Sequence, residues 1–369
     1  MHMTRPVPTA LAVIAATAAA ALGVVSSSSA AGHLTGAGSS LVAPLVINVF
    51  APDFNSSTGN SVTYGSVGSG AGITDISTKT VDFGASDAPL TSSQSSACAG
   101  CIEIPWAMAG TGLSYNLSGV AHVNLSGAVI ANIFLGTITM WNDPQIAALN
   151  KGETLPAEKI TPVYRSDGSG DTYAFTSFLS KVSPTWASKV GFGTSVSFPV
   201  GTGGKGNSGV AAVVAATPGA IGNNSWFYIR QAKLKAVAVQ NNAGNFVLPY
   251  VPYVADAAAA VVKTVPDLTT LSSSTATSIA AALSIVDPPY TKPKKGKKPT
   301  KLQRLEAAAY PIGTFTYVII RPDNPNIALL KQFIGFALNA SEQKKGAALQ
   351  FAPLPQPVAA ADASAVGGL

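Results

Sequence analysis

Three glycine-rich turns carry hydroxyl side chains just ahead of stretches that read as helices, and one of them also carries a guanidinium. The first is Leu34-Thr35-Gly36-Ala37-Gly38-Ser39-Ser40-Leu41, before an apolar-periodic stretch over 43–54. The second, Gly65-Ser66-Val67-Gly68-Ser69-Gly70-Ala71-Gly72, follows strand-like Val62-Thr63-Tyr64 and opens a helical stretch over 73–79. The third, Arg165-Ser166-Asp167-Gly168-Ser169-Gly170-Asp171, joins a strand-like 160–164 to a helix expected over 172–181. Glycine lets a backbone approach a ligand closely, and a helix N-terminus presents unpaired N–H groups and the positive end of the macrodipole. One such turn alone is ordinary capping, since Ser and Gly are common there. Three in one chain, with Arg165 suited to a tetrahedral anion, point to a convergent oxyanion site.

A fourth segment, Val81-Asp82-Phe83-Gly84-Ala85-Ser86-Asp87-Ala88-Pro89, places a carboxylate where it would repel an anion. It does not repel a ligand whose own proton it can accept. Phosphate near neutral pH carries one or two protons and sulfate none, so Asp87 reads either as a selectivity device or as a turn residue.

The elements that must position these residues follow from the rest of the chain. Its 369 residues, 47% of them hydrophobic and 11% charged, suit two or three domains with real cores, and 35 Gly with 25 Pro exclude a coiled coil or long bundle. Short β-branched runs alternating with helical stretches give an α/β protein. The net charge of +6 is local: Lys292, Lys294, Lys295, Lys297, Lys298, Lys301 and Arg304 lie in a run without an acid, and without those seven, 16 Lys and Arg remain against 17 Asp and Glu. A nucleic-acid groove spread over the fold is therefore not expected. Pro288, Pro289, Pro293, Gly296 and Pro299 interleave the run, which reads as a solvated loop and not a helix or strand.

Residues 1–31 have the parts of a signal peptide: Arg5 in a short start, an apolar run over 10–25, and Ser29-Ala30-Ala31 as a small-residue cleavage site. That run is short for a membrane span, and no Cys follows for a lipid anchor, so an exported, soluble product in a periplasm or outside the cell is expected. Cys98 and Cys101 are the only cysteines, and in an oxidising compartment they most simply close a small local disulfide. Their setting after a Ser-rich stretch differs from the strand-to-helix junction of a redox C-x-x-C. With only His33 and His122 beyond them in the mature chain, no metal site is expected, and no cofactor. An enzyme is not expected either: Gly68-Ser69-Gly70 lacks the spacing of a nucleophile elbow, a triad has few candidates for its base, and Gly203-Gly204-Lys205-Gly206 lacks the hydroxyl residue of an NTP loop.

In order along 34–355, Thr35-Gly36-Ala37-Gly38, the Asp87 segment extended by Thr80, Ile133-Phe134-Leu135-Gly136 with Trp141-Asn142-Asp143-Pro144, the Arg165 turn, Gly203-Gly204-Lys205-Gly206-Asn207 with Pro218-Gly219-Ala220-Ile221-Gly222, and Tyr310-Pro311-Ile312 resemble the substrate-binding protein of the phosphate-specific ABC transporter, a type II periplasmic binding protein. The resemblance implies two α/β domains with mixed sheets joined by two crossover strands, near 104–112 and 310–315. One domain would be residues 32–109 and 314–369, the other 110–313, carrying the basic loop 288–304. It implies one phosphate in the interdomain cleft, held by Ser40, Leu41, Ser69, Asp87, Arg165, Ser169, Gly170 and Asp171, with Asp167 positioning Arg165. The implied partners are inorganic phosphate and a membrane permease, with the receptor a monomer.

Three departures accompany the resemblance. Asp171 stands where many members have Thr; it would either accept a second phosphate proton or point outward as a helix N-terminal charge. Leu41 replaces a frequent aromatic, and Asn223-Asn224 replaces another, while the basic loop has no counterpart. The other readings are a receptor for sulfate or molybdate, against which Asp87 argues, and a secreted envelope or adhesion protein that touches polyanions through Lys292 to Arg304.

Overall fold

A computed structural model describes residues 31–98, 100–265 and 282–369, together with residues 2 and 268. The signal-peptide reading therefore lies almost wholly outside the described residues. Twelve strands form a curled mixed sheet: β1 His33–Gly38, β2 Ser61–Ser66, β3 Phe83–Ser86, β4 Ile102–Tyr115, β5 Val123–Leu125, β6 Thr161–Arg165, β7 Thr202–Gly204, β8 Ala220–Ser225, β9 Lys235–Gln240, β10 Phe246–Val247, β11 Gly313–Ile320 and β12 Phe351–Ala352. The main order is β2-β1-β3-β11-β4-β8-β6-β7. Pairing is parallel at the two flanks, among β1, β2 and β3 and among β6, β7 and β8. It is antiparallel in the centre, where β11 joins β3 to β4 and β4 continues to β8.

The long β4 belongs to both flanks. Its residues up to Gly110 pair with β11, and those from Thr111 pair with β8. Pro105 cannot donate to a central ladder. The strand answers with a bulge at Trp106, where the register against Thr316 and Tyr317 shifts, and the indole N–H donates to Thr316 Oγ1 at 3.2 Å. Trp106, Phe83, Phe54, Phe50 and Phe333 pack with one another on one flank, and Phe134, Phe175, Trp186 and Phe198 on the other, within one continuous apolar core.

Each turn singled out in the sequence leaves the C-terminal end of a parallel strand and enters a helix. β1 leads to helical turns from Ala43 to Thr58, β2 to the Ser69–Ser77 helix, and β6 to the Gly170–Val182 helix. This is where α/β sheets bind ligands. Gly38 at the end of β1 has φ +145°, and a Cβ there would lie 2.1 Å from the Ala85 carbonyl oxygen, so the first turn needs glycine.

The two cysteines form the expected disulfide, tying the end of the Ser92–Ala97 helix to the start of β4. The basic run departs from the loop reading at its end. Lys301 and Arg304 lie in a Lys301–Ala308 helix, started by a Thr300/Gln303 capping box whose spacing the Pro-rich context obscured. No helix among the described residues is long and apolar enough to cross a membrane.

Candidate functional site

The ends of β1, β2, β3 and β6 bring the expected residues into one buried hydrogen-bonded cluster. Asp87, one residue past β3, is 1% exposed. Its two carboxylate oxygens each accept from Ser39 Oγ at 2.6 Å, and Oδ2 also accepts from Ser69 Oγ at 3.4 Å. Ser39 Oγ in turn accepts the N–H groups of Leu41 and Val42 at 3.0 and 3.2 Å, so it caps the first turn and holds the carboxylate at once. Leu41 therefore joins the cluster through its backbone, while its side chain is core. The Tyr64 hydroxyl closes this side, donating to the Ser39 carbonyl at 2.9 Å.

The third turn faces the second directly. Gly170 N donates to Ser69 Oγ at 3.1 Å, and Gly70 N to the Gly168 carbonyl at 3.0 Å. A Cβ on Gly170 would come within 2.3 Å of the Asp87 Cβ, so only glycine lets the helix N-terminus close on that carboxylate. Ser169 caps the helix, its Oγ accepting Thr172 N at 3.4 Å.

Arg165, at the end of β6, is held by two acids. Its Nε donates to Asp167 Oδ1 at 2.8 Å and its Nη2 to Asp167 Oδ2, a forked pair, while Nη1 donates to Asp171 Oδ2 at 3.1 Å. A guanidinium has five N–H groups. Three are spent on these acids, which leaves one on each terminal nitrogen for an anion. Asp167 also accepts Gly206 N at 2.9 Å. Asp167 thus contacts the arginine directly, and Asp171 contacts it from a second side.

Asp171 is fully buried, which overturns the outward-pointing alternative. Thr111 Oγ1 donates to its Oδ1 at 2.7 Å and Asn207 Nδ2 to its Oδ2 at 2.7 Å. Asn207 also donates to Ser40 Oγ at 3.1 Å and accepts Ser225 N at 2.6 Å, linking the first and third turns. Sequence reasoning missed Ser39, Asn207 and Thr111. Asn207 stood inside a quoted motif without a role, and Thr111 was hidden as a lone hydroxyl between two glycines in a long, mostly apolar strand.

The electrostatics follow from burial. Removal from water, then the charge of Asp171, raises Asp87 to about 7, against the lowering effect of Ser39, Arg165 and Thr316. Burial also raises Asp171 despite Arg165. Asp167 is pulled up by burial but ends low, because the Arg165 hydrogen bonds and charge outweigh it. Arg165 itself ends above the usual range: its acids outweigh desolvation. The site combines one fixed cation, hydroxyls, a helix N-terminus and one carboxyl, Asp87, able to exchange a proton near neutral pH. Among the described residues no group of three or more His, Cys, Asp or Glu is arranged to hold a metal.

A family model described as a PBP superfamily domain matches residues 23–341. The phosphate-binding protein PstS of Xylella fastidiosa (strain 9a5c) is 38% identical over 329 residues, covering 87% of this chain and 81% of that protein. The protein of the same name from Xylella fastidiosa (strain Temecula1 / ATCC 700964) is 46% identical over 218 residues, 58% of this chain and 59% of that one. The solved structure of a high affinity periplasmic phosphate-binding protein, PfluDING, bound with phosphate, superposes with a TM-score of 0.66 at 23% identity, covering 90% of this chain and 92% of that one.

Proposed function

The chain belongs to the PBP superfamily and, within it, to the family of the phosphate-binding protein PstS, and from that premise we propose that it binds inorganic phosphate outside the cytoplasm and delivers it to a phosphate ABC transporter. The observation that carries the phosphate reading is the buried Asp87 carboxyl beside Arg165 and under a helix N-terminus. An acceptor in such a place penalises an anion with no proton to give and favours one that has it. In this reading Arg165 supplies its two unspent N–H groups. Ser40, Ser69 and Ser169 supply hydroxyls, Leu41, Gly170 and Asp171 lie at the helix N-termini, and Asp167 fixes the guanidinium. The role is binding without catalysis.

Calorimetry on the mature chain is expected to register phosphate and not sulfate. Asp87→Asn is expected to weaken phosphate by about 10- to 100-fold, the worth of one charge-assisted hydrogen bond, and to admit sulfate, since the amide can donate where the carboxylate repels. Equal binding of both anions by the unaltered chain would sink the phosphate reading. Unchanged selectivity in the variant would show that Asp87 is not the filter.

We also infer that residues 32–109 with 314–369 and residues 110–313 act as two lobes that close on the ligand, β4 and β11 serving as the crossovers. Export follows from the apolar run near the start and its small-residue end, and the receptor acts as a monomer. The basic run supports contact with an envelope polyanion: all seven cations are exposed, and none forms an ion pair among the described residues. The loop is held in shape by Glu306 Oε2 accepting Thr291 N at 2.8 Å and by Asn242 Nδ2 donating to the Pro288 carbonyl at 2.9 Å, which lowers the ordering cost of binding. Replacing the seven by Gln is expected to abolish retention on a heparin column at low salt and leave phosphate affinity unchanged within about twofold. Retention that survives the replacement removes the polyanion role.

A further inference from the structure

Asn207 stands in the first turn of the Gly206–Ala216 helix, fully buried, and every polar atom of its side chain is spent on another segment. Its Nδ2 donates to Asp171 Oδ2 at 2.7 Å and to Ser40 Oγ at 3.1 Å, and its Oδ1 accepts Ser225 N at 2.6 Å. Its backbone N–H also donates to Ser40 Oγ, at 3.3 Å. The partners fix which way the amide points. The Ser225 N–H needs an acceptor, while the Asp171 oxygen, already met by Arg165 Nη1 at 3.1 Å, takes a second donor. No carboxylate or hydrocarbon of the same shape meets this whole set.

Ser40 Oγ thus takes two N–H groups from one residue. A hydroxyl has two lone pairs and one proton, so Ser40 has spent its acceptor capacity and keeps a donor. No hydrogen bond among the described residues uses that proton. Residue 40 belongs to one of the two lobes inferred above and residues 171, 207 and 225 to the other, so the amide also bridges the cleft. We propose that Asn207 is a positioning residue for the anion site: its amide keeps the Ser40 proton for the anion and braces the Asp171 oxygen that holds Arg165. The role rests on the phosphate reading given above. Without the amide, the Ser40 hydroxyl is free to turn toward the neighbouring Asp171 carboxyl, and its proton is lost to the ligand. Arg165 at the same time loses one of the contacts that fix its partner.

The test is a double-mutant cycle, with phosphate calorimetry and thermal melting on the unaltered chain, Ser40→Ala, Asn207→Ala and the double variant. Ser40→Ala should weaken phosphate about tenfold, the loss of one hydrogen bond to a charged group. Asn207→Ala should weaken it about 30- to 100-fold, since both Ser40 and Arg165 are disturbed. If Ser40 acts only while Asn207 orients it, the double variant should bind within about twofold of Asn207→Ala. A residue that merely packs would lower the melting temperature and leave the two losses multiplying. Asn207→Asp keeps the shape and the acceptor for Ser225 N but has at most one proton for its two partners. It should bind at least as weakly as Asn207→Ala, and it carries the same cycle should Asn207→Ala fail to melt cooperatively. Multiplying losses, or Asn207→Asp binding within about threefold of the unaltered chain, overturn this role alone. No phosphate binding by the unaltered chain overturns the phosphate reading and this role with it.

Discussion

Arg165→Ala is expected to reduce phosphate affinity on the order of 10³-fold or more and to cost the fold about 3–5 kcal/mol at neutral pH, because it strips the cation from a cluster of three acids. Asp87, Asp167 and Asp171 surround the guanidinium, and it forms the only ion pairs that Asp167 and Asp171 make among the described residues. Without it, Asp171 keeps only the neutral donors Thr111 and Asn207, and Asp167 keeps Gly206 N. Neutral donors do not offset a fully buried charge, so the acids must take up protons or the site must open to water.

The pH dependence has a definite sign. The Asp167 carboxyl is held low by Arg165, so the stability it contributes is present above its unfolded value of about 3.8 and lost as pH falls below that value. In Arg165→Ala this contribution disappears and the Asp167 and Asp171 carboxyls rise. The difference in melting temperature between the two proteins should therefore shrink toward pH 4. Arg165→Lys tests geometry apart from charge. A single ammonium cannot fork to Asp167, reach Asp171 and still present two N–H groups to an anion, so it should restore stability more than binding. A lysine variant binding within a few-fold of the unaltered chain would show that the fork is not needed.

The turns were legible in the sequence because their chemistry is local. Gly38, Ser69 and the run Ser169-Gly170-Asp171 announce helix starts by residue type, and each does follow a parallel strand. Arg165 and Asp87 stood out as charges within otherwise small or apolar surroundings. What was not legible depends on pairing between distant segments. Ser39 is as plausible a capping serine as Ser40, and only the folding of β3 beside β1 decides that it takes the Asp87 carboxylate. Asn207 and Thr111 matter because β4 and β8 pair Thr111 with Ser225, which brings both to Asp171. The direction of Asp171 stayed open for the same reason: a first-turn acid looks alike whether it faces water or a buried arginine.

Asp362→Asn is expected to stabilise the protein by about 4 kcal/mol at pH 7. Asp362 lies on the buried stripe of the Gln356–Gly368 helix with Val358, Ala365 and Val366, and is fully buried with no hydrogen-bond partner for either carboxylate oxygen among the described residues. Helical spacing makes that stripe easy to find, but a reader would place the lone acid on the solvent side. Burial raises its carboxyl to about 9, so in the folded chain it is the neutral acid at pH 7. The unfolded chain ionises near 3.8, and holding the proton costs about 1.4 kcal/mol for each pH unit above that value until the folded group itself ionises. Asparagine occupies the same volume and carries no such cost. The stability difference between Asp362→Asn and the unaltered chain, measured by urea unfolding, should be near zero at pH 3.5, grow through neutral pH and level off near pH 9. With Glu103 and Asp87 also raised, the unaltered chain should itself grow less stable from about pH 5 toward pH 9. A flat difference across this range would mean that Asp362 reaches water in solution and ionises normally, and the buried stripe would then lose its strangest member.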